Sequence, residues 1–292
     1  MNKLERIVKN VSGELYIRAL KKIPGDVKKE ITRAKNMEKS PLGRKLLSVI
    51  QRNIEIAEKE DLLVCQDTGL PIYTIGVADG FPLYIGSIEE SIRKGVKEIT
   101  KKYPLRSNTL DTLTRERTHT NTGAKIPVID FIPIKGKKKI SMVFVPKGSG
   151  SENMSFLKML KPADGCKAIK KFVLECMVNS GANPCPPVVI GVGIGGTSEL
   201  CVKLAKKAAT RNLNKRNPDK NIEKMERDLL KDVNSLGIGP MGLGGTITAL
   251  AVNIEKADTH ISLNPVAVNM QCWAARRAEA VIHADGKIKY GV

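Results

Sequence analysis

Aromatic residues are scarce: Phe, Trp and Tyr make up 4% of the 292 positions, with a single Trp. The lysines and arginines are dispersed rather than gathered beside aromatics, which disfavours a surface that stacks bases of nucleic acid. Six cysteines are present and no two form a Cys-x-x-Cys pair, so a zinc finger or ribbon is excluded. No G-x-x-x-x-G-K-[ST] run occurs, which removes the P-loop. Repeats, low-complexity tracts and Ser/Pro linkers are missing as well.

Charge is absent from two long stretches, 176–198 and 235–254, which invites a test as membrane spans. The first carries Pro184, Pro186, Pro187 and five glycines, and the second Pro240 and five glycines. Breakers at that density would leave backbone groups unpaired in lipid, so neither is a spanning helix. The opening MNKLERIVKNV has charges throughout and no apolar run of signal-peptide length. The expectation is a cytoplasmic protein with reduced thiols, not a disulfide framework.

What is present fits a globular chain with a full core: 41% hydrophobic and 27% charged residues. Lys and Arg number 49 against 30 Asp and Glu, a formal charge of +19. Such a surplus attracts anions, from nucleic acid to small carboxylates and phosphates.

Apolar periodicity predicts helices through 3–60 broken at Pro24 and Pro41, and again over 87–102, 152–160, 164–179 and 221–234. Ile72–Val77 reads as a strand. IPVIDFIPI and ISMVFVP, separated by KGKKK, predict a hairpin over about 126–146. VVIGVGI reads as a strand leading to a helix from Thr197, TITALAVNIE and SLNPVAVN as β-rich, and CWAARRAEAVIH as helical. The span 215–224 is the best surface loop. These elements imply an α/β fold of the α+β type: one domain, 1–292, with a helix-rich shell around a small, largely antiparallel or mixed sheet.

Gly191, Gly193 and Gly196 match G-x-G-x-x-G between a strand and a helix, as a dinucleotide loop would. Gly237, Gly239 and Gly242 match it equally, and no acidic residue closes a second strand about 20 residues on. The pattern is therefore cheap here. What survives is that Gly195 and Gly196, before a helix capped by Thr197 or Ser198, could offer N–H groups to an anion.

Cys176 and Cys201 lie in helical apolar runs and read as small buried hydrophobes; Cys166 gives no reason for another reading. Cys65, Cys185 and Cys272 sit near element ends. Three such thiolates could hold three corners of a cubane iron–sulfur cluster, although spacing alone favours three unrelated core cysteines.

The neighbours of those cysteines change the balance. CQDTG (65–69), PKGSGSENMSFLKML (146–160), NPCPPVVIGVGIGGTSE (183–199), GIGPMGLGGTITALAV (237–252) and PVAVNMQCWAARR (265–277) together resemble the α part of class I fumarate hydratases. The α subunit of L(+)-tartrate dehydratase shares that family. The resemblance implies an oxygen-sensitive [4Fe–4S] hydro-lyase with Cys65, Cys185 and Cys272 as cluster ligands. It also implies that Gln66 and Asp67 face the dicarboxylate and its hydroxyl, that Arg106 grips a carboxylate, and that Gly148 meets the substrate through backbone N–H groups. Asp67 and His260 become the groups that relay the hydroxyl proton. Taken singly, His260 reads as a strand-edge histidine and Arg106 as a solvated charge. His119 and His283 read as structural or surface residues; Arg276 and Arg277 could complement the nearby site, but an ordinary amphipathic helix explains them as well.

RTHTNTGAKIP (117–127) departs from the family's asparagine-rich form, and its triple glycine reads Gly148-Ser149-Gly150 here; both bear on substrate choice. The resemblance covers the α-type region alone, and the expectation is that the family's second, β-type domain is not part of this chain. The resemblance therefore implies a separate β subunit, in a hetero-oligomer or around an α–α dimer core. Fumarate hydration is the expected activity, with L(+)-tartrate dehydratase or mesaconate hydratase as alternatives. A basic nucleic-acid-binding or regulatory protein is the reading from another class; it calls for a concentrated Lys/Arg stripe or relaxed cysteine positions.

Overall fold

The computed structural model describes residues 1–291. Prolines punctuate its opening: α1 (Lys3–Lys21) stops short of Pro24, α2 (Gly25–Met37) follows, and α3 (Pro41–Lys59) starts at the proline. A proline is tolerated there because its missing N–H is one the helix would leave unpaired. There follow β1 (Leu70–Asp79), α4 (Ile85–Lys102), β2 (Val128–Lys137), β3 (Lys139–Lys147), the single turn α5 (Ser149–Glu152) and β4 (Ser155–Met159). The remainder runs α6 (Gly165–Ser180), β5 (Val188–Ile194), α7 (Ser198–Ala209), α8 (Lys220–Asn234), β6 (Ala249–Lys256), β7 (Pro265–Gln271), β8 (Ala278–His283) and β9 (Ile288–Gly291). The architecture is α/β, built on two mixed sheets.

The chain divides into two compact units. One comprises residues 1–24, 54–148 and 276 onward. Its five-stranded sheet has the order β2-β1-β3-β8-β9, with only the β1–β2 pair parallel. Helices α1 and α4 belong to the same core, through Val11, Leu15, Tyr16, Ile88, Ile92 and Val96 with Tyr73, Ile75, Phe144 and Ile282. Tyr16 and Tyr73 each tilt onto Phe144, at 4.8 and 4.7 Å between ring centres. The helices approach closely at Gly95, where an added Cβ would run into the Lys9 carbonyl and the Ser12 hydroxyl.

The other unit comprises residues 25–53 and 149–275. Its four-stranded sheet runs β4-β7-β5-β6, with β5 and β6 parallel. Val188, Ile190, Val192, Ile254, Val268 and Met270 of the sheet share a core with Phe172, Val173 and Met177 of α6 and Leu229 and Val233 of α8.

Four local expectations are corrected. The predicted hairpin over 126–146 does not form. β2 and β3 flank β1 on opposite sides, and the basic turn passes over the end of β1, where the Lys138 N–H donates to the Asp79 carbonyl at 2.7 Å. β2 is thus an edge strand, where Pro133 lacks no needed ladder hydrogen bond. The helix predicted over 152–160 is β4, which pairs antiparallel with β7 from Ser155–Asn269 to Met159–Pro265. CWAARRAEAVIH is not helical: residues 272–277 are irregular and 278–283 form β8, where buried Ala278, Ala280 and Ile282 alternate with Glu279, Val281 and His283. The loop predicted over 215–224 ends early, because Asp219 caps α8 by accepting the Asn221 and Ile222 N–H groups. Among the described residues no helix is long and apolar enough to cross a membrane.

Candidate active site

The glycine-rich strand end is built for packing. A Cβ at Gly191 would strike the backbone of Ala205 and Ala209, and one at Gly193 the Cys201 carbonyl, so both glycines let α7 lie against β5. The Gly195 N–H donates to the Pro265 carbonyl and that of Gly196 to the Asp258 carbonyl. Those two donors are consumed within the fold, which corrects the expectation that they cradle an anion. Thr197 is the cap, accepting the Leu200 N–H at 3.3 Å.

The six cysteines fall into distinct environments. Cys176 and Cys201 are buried, and burial above all pushes their thiols up, to about 12 for Cys176, where the Glu175 charge adds, and about 11 for Cys201. Thiols so raised stay protonated and make poor ligands. Cys65 and Cys185 are exposed and Cys272 is half-buried. Cys166 is exposed as well, contrary to its reading as a buried hydrophobe. Cys185 stands at φ 57°, a left-handed conformation unusual for a side-chain-bearing residue, and its carbonyl accepts the N–H of Trp273, the neighbour of Cys272, at 3.1 Å. That bond couples the backbones around Cys185 and Cys272 in their unit; Cys65 lies in the other. Among the described residues no group of three or more His, Cys, Asp or Glu side chains is gathered to hold a metal ion. The donor chemistry nonetheless suits an iron–sulfur cluster, since the accessible set includes the three motif cysteines and omits the two inert ones.

In the first unit the CQDTG motif forms the connection from α3 into β1. Asp67 Oδ1 accepts the Gly69 N–H at 2.9 Å, closing a tight turn. Gly69 has φ 71°, and a Cβ there would lie 2.5 Å from the Pro146 carbonyl carbon. Only glycine fits this approach. Leu70 pairs with Lys147 in the ladder, so Gly148 falls one step beyond, abreast of the loop. Buried Thr68 donates to the Arg106 carbonyl at 2.8 Å and accepts from Asn108 Nδ2 at 2.8 Å. Asn121, also buried, donates to that same carbonyl at 3.2 Å and accepts the Asn108 N–H at 2.9 Å. The backbone at Arg106 is therefore pinned beside Asp67, while its exposed guanidinium makes no hydrogen bond or ion pair among the described residues. Gln66 is exposed next to Asp67.

His260 lies in the second unit, exposed on the loop between β6 and β7, and its Nδ1 accepts the Ser262 N–H at 3.1 Å. That bond leaves Nε2 to carry the proton of the neutral ring. Fold and geometry thus bring Gln66, Asp67, Arg106 and Gly148 into one neighbourhood, and Cys185 and Cys272 into another.

Several supporting residues escaped the sequence reading. Thr68 was inside a quoted motif, Asn108 stood two residues from Arg106, and Asn121 lay in the noted 117–127 segment; their role as props needed the fold. Tyr16, whose hydroxyl donates to the Gly69 carbonyl at 3.2 Å, carried only a helical-core signal. Burial raises its phenol well above the usual range, with Thr68 and Arg276 acting in the opposite sense. Glu38 had no signal at all, yet its buried carboxylate accepts the Thr246 and Ile247 N–H groups of the second glycine-rich loop at 2.8 and 2.7 Å.

With this geometry in view, the chain belongs to the fumarate hydratase (Fumerase) family, whose pattern matches residues 9–281. It is 45% identical over 283 residues to a Methanocaldococcus jannaschii protein that carries the provisional name L(+)-tartrate dehydratase subunit alpha, covering 96% of this chain and 99% of that one. It is 34% identical to L(+)-tartrate dehydratase subunit alpha of Escherichia coli K12, over 98% of this chain and 92% of the relative.

Proposed function

We propose that the chain is the α subunit of a [4Fe–4S]-dependent hydro-lyase that interconverts fumarate and (S)-malate, with a separate β subunit completing the site. The observation that carries this reading is the pinned Arg106 backbone beside the Asp67 turn, with the guanidinium free to meet an anion. A two-pronged contact with a carboxylate suits its planar fork.

Cys65, Cys185 and Cys272 would hold the cluster, and family membership supports that cofactor. When bound, such a cluster supplies a Lewis acid at an iron without a protein thiolate. Arg106 fixes one carboxylate, and Gln66 and the Gly148 backbone N–H orient the dicarboxylate. Asp67, with His260 as its alternative, holds or moves the proton of the substrate hydroxyl. Part of the +19 surplus draws the dianion inward. The relatives named as α subunits support a β partner for this chain.

L(+)-tartrate dehydration is the second reading, favoured by the names of those relatives. Co-production with the β subunit under anaerobic conditions, with iron and sulfide analysis and assays on fumarate, L(+)-tartrate and mesaconate, tests both. A complex without iron and without turnover of any of the three overturns the proposal. Turnover of L(+)-tartrate with none of fumarate selects the second reading.

A further inference from the structure

Arg276 is 4% exposed, and its Nη1 is fully buried with no hydrogen-bond partner. No ion pair or ring contact satisfies it among the described residues. A guanidinium nitrogen sealed from water without a partner is unfavourable, so the fold keeps it for something not yet in contact. Its place is specific. Phe144–Ala278 is the last pair of the β3–β8 ladder, so Arg276 lies two residues before the first paired residue of β8, at the sheet end where β3 runs on through Pro146. Pro146 is the residue whose backbone meets Gly69, and it pairs with Pro71 of β1. Ala278, the first residue of β8, shares a core with Tyr16. Tyr16 in turn donates to Gly69. Tyr16 responds to both Arg276 and Asp67 electrostatically, which agrees with this placement.

Two arginines are thus tied to the one loop, 67–69: Arg106 through its carbonyl on Thr68, and Arg276 through the strand ends and Tyr16. Neither guanidinium has a hydrogen-bond or ion-pair partner among the described residues. Lys147, beside Pro146 and 1% exposed, adds a second buried cation to the neighbourhood. A ligand with two carboxylates answers both vacancies where a monocarboxylate answers one.

We propose that Arg276 is a carboxylate-binding residue of this site, taking the carboxylate that Arg106 does not. The inference rests on the dicarboxylate reading above and deepens it, because it turns a single clamp into a selector of dicarboxylates.

The test is binding of succinate, a non-reacting dicarboxylate, and of butyrate, its monocarboxylate counterpart, to the αβ holoenzyme by calorimetry. Unaltered enzyme is compared with Arg276→Gln and Arg276→Lys. The expected result is a ten- to hundredfold loss of succinate affinity in Arg276→Gln, a smaller loss in Arg276→Lys, and butyrate binding changed less than threefold in both. Unchanged succinate affinity in the two variants overturns the inference while leaving the hydro-lyase reading in place. An equal loss for both ligands assigns Arg276 to the scaffold and overturns it too. Where Arg276→Gln does not fold, Arg276→Lys is read by the same ratio of the two ligands. Unaltered enzyme that binds and turns over no dicarboxylate overturns the proposed function itself, and this inference with it.

Discussion

Glu38 and Ile247 stand 209 residues apart in sequence, and the Glu38 carboxylate accepts the Ile247 N–H at 2.7 Å. With the Thr246 and Ser40 N–H groups it makes a buried three-donor clamp on the glycine-rich loop. Burial alone would raise the carboxyl, but the backbone donors outweigh it and hold its pKa below the ordinary 4.5. A carboxylate lowered in the folded state adds stability above its unfolded pKa, and that stability is lost as pH falls through the folded value. Glu38→Gln is therefore expected to lower unfolding free energy by about 1–3 kcal/mol at pH 7. The gap to the unaltered protein should narrow below pH 4.5, where the unaltered carboxylate becomes protonated. Urea unfolding at several pH values checks both; a gap that widens on acidification contradicts the clamp.

Replacing Thr68 by Val keeps the volume but removes the hydroxyl that joins Arg106 to Asn108. Losing these two part-buried hydrogen bonds should cost about 1–3 kcal/mol of stability. Because the Arg106 backbone keeps only its Asn121 anchor, KM for the dicarboxylate should rise more than kcat falls. Steady-state kinetics on the αβ complex separates the two constants.

Arg106→Lys keeps the charge and loses the planar fork. A fall in kcat/KM equivalent to about 2–4 kcal/mol is expected for a desolvated two-pronged contact. Iron content should stay at the unaltered level, since no thiol is touched. A near-unaltered rate would return Arg106 to the status of a surface charge.

Cluster assembly should fail in Cys65→Ser, Cys185→Ser and Cys272→Ser and survive in Cys176→Ser. Iron and acid-labile sulfide per chain after anaerobic reconstitution give the measure. Equal tolerance of all four substitutions removes the ligand assignment.

Thiol labelling separates the same residues without activity. In the metal-free chain at pH 8, iodoacetamide is expected to alkylate exposed Cys65 and Cys166 well ahead of Cys176 and Cys201. The latter two are held near 12 and 11 by burial and carry almost no thiolate at that pH. Peptide mass spectrometry over a time course reads the order.

What the sequence determined by itself was whatever acts over a few residues. Pro24 and Pro41 broke the opening helices, the apolar segment Ile72–Val77 marked β1, and the motifs around Cys65, Cys185 and Cys272 carried the family. What only the tertiary structure decided was pairing and placement. β2 and β3 are adjacent in sequence, but hydrogen bonding along a sheet is non-local, and β1 took the place between them. Residues 155–159 and 278–283 have compositions that serve a helix or a strand, and the waiting edges of β7 and β3 settled the matter. The G-x-G-x-x-G spacing could not reveal that its glycines admit α7 or that the N–H groups after them are consumed. Arg276 is the sharpest case. In one dimension an amphipathic pattern explains it as well as a site does; only the packed chain buries its Nη1 without a partner, because burial is a property of the packed chain and not of the residue.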